Sequence, residues 1–118
     1  MDPLSLALRN ELLDVLSTLA DAHRQRAHEE DVPIAHVPAE LICVWFDGCY
    51  LPGHPAFDRG FSPSELAVLA DFNRVFTEVA DGIEPLPASV DGLLARPAWA
   101  RLMSAAAVAL QSMDRGPT

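Results

Sequence analysis

The stretch WFDGCYLPGHPAFD, residues 45–58, gathers most of the groups in this chain that could do chemistry. Asp47, His54 and Asp58 bring two carboxylates and an imidazole close together in sequence, beside the rings of Trp45 and Tyr50. A carboxylate next to an imidazole is the minimum for acid–base work. Catalysis asks for more, and no nucleophile motif, phosphate-cradling loop or oxyanion device accompanies them. The same side chains suit recognition, because aromatic rings rimmed by carboxylates attract the guanidinium and ammonium groups of a basic protein surface. Trp45, Asp47, Tyr50, His54 and Asp58 are therefore read as a partner-binding rim, with no catalytic residue assigned.

Other chemistries find less support. Cys43 and Cys49 are six positions apart, about 240° around a helix axis, and cannot pair with each other there. Without a CxxC they read as buried thiols, so Cys43 is expected to resist modification. His36 and His54 flank the cysteines at spacings that match no compact zinc module, so neither a metal nor a cofactor is expected. A cysteine-protease set built from Cys49, His54 and Asn73 would need a convergence in space that nothing in the spacing supplies. Asn73, set among Phe72, Val75 and Phe76, is expected to tie down a loop backbone through its amide. All eight basic residues are arginine. The absence of lysine removes Schiff-base and pyridoxal chemistry and the P-loop amine.

The net charge of −9, from seventeen acidic and eight basic residues, opposes nucleic-acid binding, which needs clustered cations. Arg24 and Arg26 are the nearest approach to a cluster, and they stand beside Glu29 and Glu30. An acidic surface instead speeds encounter with cationic partners. The longest apolar runs fall far short of the roughly 20 residues that span a bilayer, so no membrane partner is expected. No basic segment leads into an apolar one near Asp2 and Arg9, which makes the cytoplasm the expected location.

These side chains need elements to position them. The length suits one domain that buries about 65% of its unfolded surface. Asp2 and Pro3 open a first helix expected to run to about residue 28, with Leu4, Leu8, Leu12, Val15 and Leu19 as its stripe and Leu6, Leu13 and Leu16 widening it. Pro33 and Pro38 make 32–37 an extended connector. The run ELICVWFDGCYLPG has two readings. Asp47-Gly48 between apolar runs is a hairpin signal. The return strand would be only three residues long, however, and an isolated hairpin is marginal in water. A helix from 38 to about 50 buries two adjoining faces and is the expected element, with Gly48 marking a close backbone approach or a fraying end. Residues 51–60 should be a surface loop anchored by Phe57.

The clearest element is FSPSELAVLADFNRVFTEVADGI. Ser62 caps it, Pro63 takes the first turn and Glu65 completes a capping box. Leu66, Leu69, Phe72, Phe76 and Val79 form its core face, Gly82 is expected to end it in a left-handed cap, and Asp71, Arg74 and Glu78 stand at pairing distance outside. A short turn in SVDGLLAR precedes a last helix from 97 to about 113. Its Trp99, Leu102, Met103, Ala106 and Leu110 face inward, and Ala98, Ala105 and Ala109 let a neighbour approach. The tail from Asp114 should fray.

The expected fold is all-α: a compact orthogonal or irregular bundle of four to five helices over residues 1–118. The expected function is a non-enzymatic, immunity- or inhibitor-like protein that meets a basic protein partner at the 45–58 rim. The alternative is a small-molecule enzyme or ligand-binding domain using the same rim. A homodimer through the alanine face of the last helix is a third arrangement to test.

Overall fold

The computed structural model of the chain describes residues 1–32 and 36–113. Among them are seven α-helices, one π-helical turn and no strand. The sequence alternatives at 40–53 are thereby resolved in favour of helix. Half of the expected connector, 33–35, and the expected frayed tail, 114–118, lie outside the described residues. Val37, assigned to that connector, instead begins a helix.

Helix α1 (Pro3–Leu19) starts where Asp2 accepts the Ser5 backbone N–H at 2.8 Å and the Ser5 hydroxyl at 2.9 Å, which hold its carboxyl below its ordinary range. Its apolar stripe is buried only from Leu12 onward. Leu4 and Leu6 stay exposed, because the first two turns have less protein to lie against. The helix does not continue to residue 28. It stops at Leu19, and α2 (Ala22–Asp31) begins behind a new cap, with Asp21 accepting the Arg24 backbone N–H. The polar run AHRQRAHEED has no apolar stripe to continue the packing of α1. It docks through polar groups instead: Gln25, its one fully buried side chain, donates to the carbonyls of Thr18 and Leu19 and accepts the Trp99 indole N–H at 3.0 Å, while Glu29 accepts the Val90 backbone N–H at 2.8 Å.

Helix α3 (Val37–Cys43) is capped by His36, whose Nδ1 accepts the Ala39 N–H. It runs straight into the π-helical turn Val44–Cys49. There the Tyr50 N–H reaches back five residues to the Trp45 carbonyl at 3.2 Å. That wider turn stacks residues i and i+5, so the Tyr50 ring lies on the Trp45 ring with centroids 4.8 Å apart and planes 12° from parallel. A Cβ at Gly48 would meet only Val44 Cγ2, at an ordinary 3.7 Å, so no close backbone approach demands glycine there.

The segment after it is more ordered than its prolines and glycines suggest. Helix α4 (Pro55–Arg59) forms within it, started by His54 Nδ1 accepting the Ala56 N–H, and Phe57 is fully buried as its anchor. Helix α5 (Pro63–Gly82) has the expected capping box. Its end differs: Gly82 has no positive φ, and the helix closes where Ile83 turns into the core and Arg96 donates to the Ile83 carbonyl at 3.2 Å. The arginine satisfies a terminal carbonyl that a left-handed glycine would otherwise serve. Helix α6 (Val90–Leu94) is capped by Ser89, and Arg96 precedes α7 (Pro97–Gln111).

Helix α1 lies against α2, α4, α7 and the π turn, while α5 packs on α7. At the centre, Phe72 meets Trp45 edge-on at 4.8 Å and Trp99 meets Phe76 at 6.1 Å. Two further polar ties join the Gln25–Trp99 bond in this core. Trp45 Nε1 donates to Asn73 Oδ1 at 3.0 Å, so Asn73 serves an indole rather than a loop backbone. Arg9 makes a two-pronged pair with Glu65 at 2.8 and 2.9 Å, donates to the Gly60 carbonyl, and stands over the Phe61 ring.

Candidate functional site

The five residues nominated from sequence do not share one surface. Trp45 is fully buried, stacked under Tyr50 and bonded to Asn73, so its ring is core. Tyr50 is half-buried, and its hydroxyl is pushed above its ordinary pKa by desolvation and by the nearby Asp58 charge. Asp58 accepts the Gly53 N–H at 3.2 Å and His54 caps α4, so both side chains shape the loop they belong to. Asp47 is exposed on a different side, where the π turn faces α1.

That side holds a cleft of about 520 Å³. Its apolar floor is Val15 and Leu19 from α1, Leu41 from α3, and Val44 from the π turn. Three carboxylates rim it: Asp14, Glu40 and Asp47. His28 reaches over from α2, with Nε2 3.2 Å from Glu40 Oε2, and joins α2 to α3 at the mouth. Asp14 is met by Arg24 at 3.3 Å, with both side chains largely exposed, a pairing that contributes little in water. Asp47 has no hydrogen-bond or ionic partner among the described residues.

Two helical stripes build the cleft. Glu40, Cys43, Val44 and Asp47 follow i, i+3, i+4, i+7 spacing, which puts them on one face of α3 and its π extension. Across from them, Asp14 and Thr18 stand one turn apart on α1, next to Val15 and Leu19. Reading these stripes as facing surfaces would have required knowing that α1 and α3 are neighbours, which neither stripe reveals alone. Asp14, His28, Glu40 and Cys43 were therefore missed from sequence, as was the docking role of Gln25.

The thiols also divide. Cys43 is exposed at the cleft, contrary to the expectation of burial, because it lies on the solvent stripe with Asp47. Cys49 lies on the inner stripe with Trp45, and burial, aided by the Glu11 charge, pushes its thiol from 9.0 up to about 12. No hydrogen bond joins Cys43 to His28, so the cleft lacks the nucleophile–base contact that thiol catalysis uses. Among the described residues, no three histidine, cysteine or carboxylate side chains converge to hold a metal ion, and no helix is long and apolar enough to cross a membrane. Comparison of the chain with protein-family models, curated proteins and solved structures gave no match, so its own geometry carries the functional reading.

Proposed function

We propose that this chain is a non-enzymatic binding protein of the inhibitor or immunity kind, and that it takes a basic segment of a partner protein into the cleft between α1, α2 and α3. One observation supports this above the others: an apolar floor ringed by Asp14, Glu40 and Asp47, with Asp47 unanswered by any cation among the described residues, in a chain of net charge −9. An apolar side chain of the partner would fill the floor while arginine or lysine on either side met the rim. The carboxylates would raise the encounter rate, and the floor would slow departure.

The size of the cleft and the presence of Cys43, His28 and Glu40 on its wall favour a second reading, a small-molecule binding domain, since ligand pockets commonly measure about 300–1,000 Å³. Paired peptides separate the two. Amphipathic peptides with identical apolar positions and either arginine or glutamate between them are titrated by fluorescence anisotropy at low and physiological salt. The basic set should bind with an on-rate that falls as salt rises, and Asp47→Arg or Glu40→Arg should lower that rate about tenfold. Val44→Asp should chiefly raise the off-rate. Equal binding of both sets, or indifference to both reversals, would remove the basic-partner reading and leave the small-molecule one.

A further inference from the structure

The outward face of α5 and α7 differs in kind from the cleft. The two helices run side by side in opposite directions, with Glu78 near Arg101 at one end and Val68 near Ser112 at the other. Between them lies a groove of about 400 Å³, whose apolar lining includes Val68, Val75 and Ala105. Val108 stands at its edge, 62% exposed, and among the described residues the other large apolar side chains left in the open, Met1, Leu4 and Leu6, all lie at the N-terminal end.

The charge of this face is balanced. Asp71 and Arg74 pair at 3.4 Å, and Arg101 pairs with Glu78 at 2.7 Å. Two carboxylates and two guanidiniums cancel, so the excess of −9 is carried by other residues; the next carboxylate along α5, Asp81, sits in its last turn. This decides the occupant. A second copy also carries −9, and two such chains repel wherever their acidic surfaces meet. They can approach closely only through a locally neutral patch, and this face is neutral, apolar in the middle and equipped with a protruding valine beside a groove that could receive one.

We propose that two copies of this chain pair isologously through the α5/α7 face, with Val108 of each copy entering the other's groove. An antiparallel crossing of α5 on its symmetry mate between positions 71 and 74 brings Asp71 of each copy beside Arg74 of the other. The exposed pairs within each chain hold so weakly that exchanging them for cross-copy pairs costs little. The groove and the acidic cleft share no lining residue, so the dimer leaves both clefts open.

Sedimentation equilibrium from low micromolar to near-millimolar concentration tests this. The wild type should shift reversibly from monomer to dimer. Val108→Asp should remain monomeric with its circular dichroism spectrum and thermal transition unchanged. Asp71→Arg and Arg74→Asp should each weaken dimerisation about tenfold. Mixing those two variants should restore it, because one copy then offers two cations to the two anions of the other. A wild type that stays monomeric throughout would overturn the proposal. So would a dimer that tolerates Val108→Asp and both reversals.

Discussion

The cleft between α1, α2 and α3 and the groove between α5 and α7 are of similar size and similarly apolar at the bottom, yet their rims differ in one respect that decides what each can meet. Every fixed charge lining the cleft is negative, and its histidine is half committed to Glu40. At the groove each carboxylate has an arginine beside it. Burial of apolar surface is non-directional and would hold almost any partner. The sign pattern around it restricts the choice, which is why we propose a cationic partner for one depression and a second copy of the chain for the other. What ties the two regions together is internal: the Arg9–Glu65 pair joins α1, which floors the cleft, to α5, which lines the groove, and Gln25 joins α2 to α7 through Trp99.

The strongest way to break the comparison is to remove the joint that both regions share. Glu65→Ala leaves the Arg9 guanidinium in the interior with its main partner gone and opens the capping box of α5. It should destabilise the protein by about 3–5 kcal/mol in urea titrations and weaken both depressions together. Glu65→Gln can still accept the Ser62 N–H now held at 2.9 Å, so it should recover about 1 kcal/mol of that loss. Equal stability of the alanine and glutamine variants would show that the cap contributes nothing.

Gln25→Leu separates the regions. The Trp99 indole N–H loses its acceptor while fully buried, at a cost of about 1–3 kcal/mol. The wall of the cleft loosens because α2 has no other buried anchor of its own, so peptide binding should weaken while self-association stays as it was. A double-mutant cycle with Trp99→Phe checks the assignment. The double variant should cost less than the two singles added, because both members of the pair are then apolar.

The smallest effect concerns the two thiols of the π-helical segment and its approach. Cys43 should label quickly in the native protein and be protected by a basic peptide seated in the cleft, whereas Cys49 should label only on unfolding. Because the folded Cys49 thiol keeps its proton up to about 12 and the unfolded one to about 9.0, the folded state holds more protons between those values. Stability should therefore be intact below pH 9 and fall through the window above it by at most about 1.4 kcal/mol per pH unit. Tyr50, also raised, adds a fall of the same sign. Cys49→Ala should remove the part of the slope that belongs to the thiol, and an unchanged slope would place Cys49 outside the core.

Local chemistry legible in the sequence accounts for much of the backbone. Asp2-Pro3, Ser62-Pro63 with Glu65, and Ser89 start helices where caps and fixed φ angles require them, and the 3.6-residue stripes of α5 and α7 select their inward faces. These features act within one turn of chain, and so they can be read in order. The break at Asp21 was harder. Its capping side chain sits inside a run of good helix formers, and what settles the break is Gln25 finding an indole seventy-four residues away.

The functional side chains show the same division more sharply. The sequence alone determined an acidic, lysine-free, all-helical chain with an aromatic-rich turn at 45–50. Only the tertiary structure decided that Trp45 turns inward to stack on Tyr50 and bond Asn73, taking the centre out of the expected rim. It also decided that Asp47 joins Asp14 and Glu40 across a cleft whose walls come from opposite sides of the 33–35 connection. A π turn rotates its residues by a different amount than an α turn, so which of Trp45 and Asp47 faces water depends on a backbone register fixed by long-range packing. The pairing of Arg9 with Glu65 is likewise a matter of where α1 and α5 come together, and no spacing along the chain encodes it.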